Sequence, residues 1–208
     1  MAETMSCVRV VDDDAALLKS LDRLLRSAGF AVLTFPSPQA YLRQNHGDAP
    51  GCVLLDLSMP EMDGLGLQQA IAASGDGCPV IFISGHGDVP SSVQAMKAGA
   101  IDFLTKPFDQ EQLLAAVRSA IERDRAARAA RTARRALEQR IAMLTPRERD
   151  VMASVVAGHL NKQIAAELGI AEKTVKVHRA RVMEKMGAGS VAELVLLVPR
   201  AEDLTARF

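Results

Sequence analysis

Cysteine, long apolar runs and net charge are all scarce in this chain of 208 residues. Cys7, Cys52 and Cys78 are odd in number and show no CxxC spacing, which argues against a disulfide framework or a thiolate metal site. Each lies in or beside an apolar, strand-like run and reads as a small buried hydrophobe in a reduced compartment. No apolar stretch reaches the roughly 20 residues that span a bilayer. No basic, apolar and small-residue signal opens the chain. A soluble, cytoplasmic protein without a membrane partner is the expectation.

The zero net charge conceals an asymmetry. Residues 1–121 carry 8 Lys+Arg against 14 Asp+Glu, a balance of −6, whereas residues 122–208 carry 17 against 11, a balance of +6. An acidic module joined to a nucleic-acid-binding one fits this division better than a merely solvated basic surface.

Two periodicities alternate over the first 121 residues. Runs rich in β-branched residues at 7–11, 30–34, 52–55, 79–83 and 100–104 predict five strands. Helical spacing appears between them: Ala16, Leu17, Leu21, Leu24 and Leu25 before a capping Gly29, then Leu65 to Ile71, Val93 to Ala98, and Leu113 to Ile121. Alternating strands and helices predict a doubly wound, flavodoxin-like α/β domain over 5–121. Its five-stranded parallel sheet has order 2-1-3-4-5 and is covered on both faces. Residues 122–142, rich in Ala and Arg without Gly or Pro, predict a long linker helix with a thin apolar stripe. Residues 143–208 read as all-helical. Thr145-Pro146-Arg147-Glu148 is a capping-box start. Asn161 is expected to cap a short helix ending at Gly169, followed by helices over 171–186 and 191–198, the last ended by Pro199. Two short helices about a Gly-containing turn have the helix-turn-helix form.

Asp12 and Asp13 end the first strand, Asp56 the third, Ser84 the fourth and Lys106 the fifth. With strands 1 and 3 adjacent, Asp13 and Asp56 are expected to face each other with Asp12 beside them. Three close carboxylates call for a cation. Hard oxygen ligands with room for water suit Mg²⁺ and a phosphoryl group. Asp12 and Asp13 read as the metal-holding pair and Asp56 as a nucleophile that forms an acyl phosphate. Lys106 supplies positive charge and Ser84 a hydroxyl to the phosphoryl oxygens. Asp14 and Asp63 read as helix caps. The Lys106–Pro107 bond is a candidate for the cis isomer.

Four segments carry a resemblance: Val10-Val11-Asp12-Asp13-Asp14, Leu55 to Gly64, Ile83-Ser84-Gly85-His86-Gly87-Asp88 and Phe103 to Phe108. Together they resemble the CheY-like receiver domain of bacterial two-component response regulators. The resemblance implies that Asp56 accepts phosphate from a sensor histidine kinase. It implies Mg²⁺ on Asp13, Asp56 and the main-chain carbonyl of Ser58, with Asp12 acting partly through water. Phe103 is implied as the aromatic whose rotamer reports phosphorylation. Ser84 stands where Thr is the commoner residue.

In the basic half, helix 171–186 sets Val175, His178, Val182 and Met186 on one stripe and Lys173, Lys176, Val177, Ala180, Arg181 and Glu184 opposite. An apolar inner face with a basic outer one is what a major-groove reading helix requires. Lys176 and Val177 are placed for base edges, and Lys173, Arg179, Arg181 and Lys185 for phosphates. His178, on the inner stripe, reads as a packed residue. Leu144 to Glu148, Gly158 to Ala165, Leu168 to Ile170, Lys173-Thr174-Val175-Lys176-Val177-His178 and Glu184 to Met186 resemble the LuxR-type four-helix DNA-binding domain. With a receiver ahead of it, the chain resembles FixJ/NarL-class transcriptional regulators, most of all FixJ-like members. The resemblance adds Thr174 and Ala180 to the DNA contacts and implies promoter DNA and RNA polymerase as partners. It implies a homodimer through Val93, Lys97 and Phe103 in the receiver when phosphorylated, and through Val191, Leu194 and Val195 in the final helix on DNA.

Two other readings compete. A Mg²⁺-dependent phosphatase or phosphotransferase would want a second Asp two residues beyond the nucleophile, but position 58 is Ser. The expectation is therefore a regulator and not a turnover enzyme. A DNA-binding protein with a vestigial receiver is disfavoured by the complete set of pocket residues.

Overall fold

The computed structural model describes residues 5–44, 49–75, 77–85 and 89–198. His86, Gly87 and Asp88 of the receiver-like motif, Pro199 and the remaining C-terminal residues lie outside these. The chain divides into two compact units between Ala129 and Ala130.

The first unit alternates β1 (Cys7–Val11), α1 (Ala15–Ser27), β2 (Ala31–Phe35), α2 (Pro38–Leu42), β3 (Gly51–Asp56), α3 (Gly64–Ser74), β4 (Val80–Ser84), α4 (Val89–Lys97) and β5 (Asp102–Thr105), and includes the first part of α5 (Gln110–Ala142). The strands are parallel in the expected order β2-β1-β3-β4-β5. Every residue of β1, β3 and β4 is buried, whereas edge strands β2 and β5 are only partly so. This is why the central strands are almost wholly apolar, with the buried Arg9 as the interruption in β1.

Side chains alternate between the two faces. Val8, Val10, Leu54, Ile81 and Ile83 pack with Leu18, Leu21 and Leu25 of α1 and Leu113, Val117 and Ile121 of α5. Val11, Val53, Leu55 and Phe82 pack with Leu67 and Ile71 of α3. Each fully buried Leu or Ile contributes about 1.5–3 kcal/mol. On α1 Leu18, Leu21 and Leu25 face the core, whereas the expected Ala16 is exposed. Helix α2, too short for periodicity to show, has Ser37 as its cap. Asp14 and Asp63 act as the expected N-caps, accepting from Ala16 N and Gly66 N at 2.8 Å each.

Gly64 sets the turn out of β3. Its N–H donates to Leu57 O at 2.9 Å. A Cβ there would collide with Asp56 O and lie 2.8 Å from the Phe82 ring.

Helix α5 is continuous from Gln110 to Ala142. Its turn around Asp124 is not a solvated linker. Asp124 is fully buried and accepts from Gly51 N at 2.9 Å and Arg128 Nε at 2.7 Å.

The second unit contains the end of α5 with α6 (Pro146–Val156), α7 (Asn161–Leu168), α8 (Glu172–Met186) and α9 (Val191–Leu197). Val151, Met152, Val155, Ile164, Val175, Val182, Met186 and Leu194 form its core, with Leu137 and Ile141 of α5 packed against it. The capping box forms as expected: Glu148 N donates to Thr145 Oγ1 at 3.3 Å and Thr145 N to Glu148 Oε2 at 2.9 Å. Asn161 is the first residue of α7 and not its cap. Leu160 holds the cap position, its N–H donating to Gln163 Oε1 at 2.7 Å, and the Asn161 side chain accepts from Arg179 Nη1 at 2.8 Å. Gly169 makes the α7–α8 turn with φ 65°. Among the described residues no helix is long and apolar enough to cross a membrane.

Lys185 Nζ reaches buried Glu148 Oε2 at 2.7 Å and Met143 O at 3.1 Å, tying α8 to the start of α6 and the end of α5. The Lys185 bond, then the Thr145 backbone bond, hold the Glu148 carboxyl at about 2, against an ordinary 4.5. A depressed carboxyl stabilises the fold above its unfolded pKa and loses that contribution as pH falls through the folded value. Two outcomes are expected. In thermal melts, the stability difference between wild type and Glu148→Gln is full above pH 4.5 and closes as pH approaches 2. In urea titrations, Gly64→Ala lowers the midpoint of the first unit, corresponding to a stability loss of about 1–3 kcal/mol from overpacking strain.

Candidate functional site

Parallel pairing brings the strand ends to one rim. Val11 pairs with Leu55, Asp56 with Ile83 and Ser84 with Thr105, so the residues that follow or close these strands converge. Asp12 is 2% exposed and Asp56 6%. Between them lies the Lys106 ammonium, donating to Asp12 Oδ2 at 2.8 Å and to Asp56 Oδ1 at 2.6 Å. Backbone amides hold the other oxygens. Asp14 N donates to Asp12 Oδ1 and Ser58 N to Asp56 Oδ2, each at 2.8 Å. Lys106 N also donates to Ser84 O at 2.7 Å, which fixes the chain carrying the lysine against the end of β4. The Lys106–Pro107 bond is cis.

Burial raises the Asp56 carboxyl above its ordinary pKa, outweighing the lowering by Lys106 and the Ser58 amide; Asp12 adds to the rise. Burial alone would lower Lys106, but its bonds to Asp12 and Asp56 outweigh this and its pKa is raised. One ammonium facing two carboxylates leaves a negative charge in a site of low polarity. That imbalance favours an incoming cation.

Asp12, Asp56 and Lys106 are joined by direct bonds, while Asp13, expected to face Asp56, follows Asp12 and is solvent-exposed. Among the described residues no three His, Cys, Asp or Glu side chains are grouped to hold a metal. The lysine already bridges the two buried carboxylates, so nothing offsets the cost of burying a third. The donor chemistry, carboxylate oxygens at an open rim, still fits Mg²⁺, which takes few protein ligands and keeps water. Ser58 is exposed beside this rim and Ser84 is buried at the end of β4. Phe103 is half-buried, its ring 6.3 Å from that of Phe82. Val93 and Lys97 are exposed on α4.

In the second unit α8 is divided as its spacing implied. Val175, Val182 and Met186 are buried, His178 is half-buried, and Lys173, Thr174, Lys176, Val177, Ala180 and Arg181 are exposed. Arg179 is half-buried and engaged with Asn161. Two expectations are corrected. Lys185, assigned to phosphates, is committed to Glu148 and Met143 O. Leu194, assigned to a dimer surface, is fully buried in the core, while Val195 and Leu196 are the exposed apolar residues of α9 and Val191 is half-buried. Arg140 was missed altogether. Its Nη1 caps α8 by donating to Met186 O at 3.0 Å, and only its place in an Arg-rich helix pointed to it.

Residues 8–118 match the response regulator receiver domain family, and residues 142–198 match the bacterial regulatory proteins of the luxR family. The chain is 43% identical over 203 residues to the response regulator protein TodT of Pseudomonas putida, covering 98% of this chain and 89% of that one. It is 45% identical over 198 residues to the transcriptional regulatory protein FixJ of Bradyrhizobium diazoefficiens, covering 95% and 97%. The solved structure of the response regulator StyR is similar with a TM-score of 0.86 at 47% identity, covering 93% of this chain and 98% of that one. The chain belongs to the two-component response regulators of the FixJ/NarL class, with a receiver domain ahead of a LuxR-type DNA-binding domain.

Proposed function

We propose that Asp56 is the phosphoacceptor through which a sensor histidine kinase controls DNA binding by this transcriptional regulator. The observation that carries the reading is the buried Asp12–Lys106–Asp56 cluster at the strand ends. A carboxylate oxygen of Asp56 attacks the phosphorus of a phosphohistidine, the P–N bond breaks, and an acyl phosphate remains. Asp13, Asp56 and the Ser58 carbonyl, with Asp12 partly through water, would hold Mg²⁺, which would neutralise phosphoryl charge. Asp13 is exposed and would meet a hydrated ion from solvent. Lys106 stays beside the added group as a fixed positive charge, and Ser84 lies within the same rim. Ser58 offers no carboxyl to activate water, which favours storage over turnover.

Residues 5–121 form the receiver, 122–142 a helical linker and 143–208 the DNA-binding domain in this reading. Ser84 and Phe103 relay phosphorylation to the face bearing Val93 and Lys97, where a second receiver docks. On DNA, Val191 and Val195 of α9 meet a second copy. Pairing raises the effective concentration of two reading helices over two half-sites. Lys176 and Val177 read base edges, while Lys173, Thr174, Arg179, Ala180 and Arg181 lie along the backbone. RNA polymerase is the downstream partner, and the cytoplasm the compartment.

With a small phosphodonor and Mg²⁺, the protein is expected to gain one phosphoryl group that hydroxylamine removes, and Asp56→Asn to gain none. Many turnovers of donor per protein would instead favour the phosphatase reading. In binding-site selection Lys176→Ala relaxes preference at one base position, by about 1–3 kcal/mol of lost discrimination. Arg181→Ala weakens binding to all sequences alike and lowers the salt slope by about 1.

A further inference from the structure

The positive balance of the second half of the chain lies mostly on α5. Residues 122–142 carry 7 Lys+Arg against 3 Asp+Glu, a balance of +4, whereas residues 143–208 carry 10 against 8, a balance of +2. The residues that include the reading helix are therefore close to neutral. Several of their cations are also committed within the protein: Lys185 to Glu148, Arg179 to Asn161 and Arg147 to Asp150. Attraction to a duplex scales with the number of phosphates neutralised, and Lys173, Lys176 and Arg181 of α8 supply few.

From Ala130 onward α5 belongs to the same unit as α8. Leu137 and Ile141 pack one side of this segment against the core, and Arg140 Nη1 holds it to Met186 O at the end of α8. Arg131, Arg134 and Arg135 stand at i, i+3 and i+4 and so form one ridge. Arg134 and Arg135 are exposed and Arg131 is half-buried. No Asp or Glu occurs between Asp124 and Glu138. Arg134 pairs with Glu138 at 2.9 Å, yet both side chains are 59% exposed, and a pair so open to water contributes little and can yield to a phosphate.

We propose that this ridge of Arg131, Arg134 and Arg135 binds backbone phosphates of duplex DNA that flank the bases read by α8. It lies ahead of residues 142–198, which match the luxR family, and adds a second patch to the same unit. The inference rests on α8 as the reading helix. At 1.5 Å per residue the ridge stands roughly 8–14 Å along α5 from Arg140, a length that spans about 2–4 base pairs of duplex. Guanidinium groups pair with phosphate oxygens and carry no base preference there, so the ridge adds affinity without changing the sequence that α8 reads. An acidic protein surface would meet the same charge. The reading helix in the same unit, however, brings phosphates close to it.

Two duplexes recovered by binding-site selection test this with the full-length phosphorylated protein. One ends at the outermost base pairs of the half-sites, and the other extends about 10 base pairs further on each side, one helical turn. Wild type is expected to bind the extended duplex at least ~10-fold more tightly at low salt, with a steeper salt dependence. Arg131→Gln combined with Arg135→Gln, which keeps helix propensity, is expected to remove that gain and to reduce the slope on the extended duplex by about 3–4 for two bound chains. Arg135→Gln alone, at an exposed position, is expected to reduce it by about 2. Circular dichroism checks the folding of both variants. Arg181→Gln weakens binding to both duplexes, so a failure of the α8 reading shows there and a failure of the ridge shows only on the extended duplex. Equal binding of wild type and the double variant to the extended duplex would overturn the assignment, as would an equal loss on both duplexes. Loss of the two-chain complex in sedimentation, with DNA affinity per chain unchanged, would place the ridge at a protein contact and overturn it too.

Discussion

Lys106 between Asp12 and Asp56 is the interaction around which the first unit is arranged. Two buried carboxylates at 2.6 and 2.8 Å from one ammonium cannot stand without it. Removing the lysine would leave two uncompensated negative charges at the ends of β1 and β3. The rest of the unit positions that triad. Parallel register places the strand ends at one rim, the Asp14 and Ser58 amides fix the two carboxylates, and Gly64 lets α3 begin beside Asp56. The cluster remains one negative charge in excess, so it favours a cation and has a lysine ready for an incoming anion. The site is thus poised for a change in charge.

The second unit follows a parallel economy. One lysine of α8, Lys185, neutralises buried Glu148 and so joins α6, α8 and the end of α5. Arg140 closes the same end of α8 from α5. With the C-terminal end of α8 held by these two cations, Lys173, Lys176 and Arg181 remain exposed on the outer face. A reading helix needs this division, because its own stability and its attraction for phosphate draw on the same residue types.

Much of this was legible from the chain because the relevant periods are short and strong. Strand runs such as Val53-Leu54-Leu55 show burial on both faces, and residues at their ends are placed by topology alone. The sheet order, the capping box at Thr145 and the inner stripe of α8 followed directly. What escaped depends on which way single side chains turn. Asp12 and Asp13 are adjacent acids, yet one is buried and the other exposed, and no pattern in the sequence separates them. Lys185 looks like any basic residue on a basic helix until Glu148 is seen beneath it. Leu194 sits in a helix of seven residues, too short for its buried face to be read from spacing. Asp124, set among alanines and arginines, reads as solvated although tertiary packing closes over it.

In the proposed function, charge added at Asp56 changes how tightly α8 is delivered to DNA. The most direct measurement is titration of a selected two-half-site DNA with the full-length protein before and after phosphorylation, with the mass of the complex followed by sedimentation. Tighter binding by the phosphorylated protein and a complex holding two chains are the expected results. Equal affinity and equal mass in both states would contradict the proposed function.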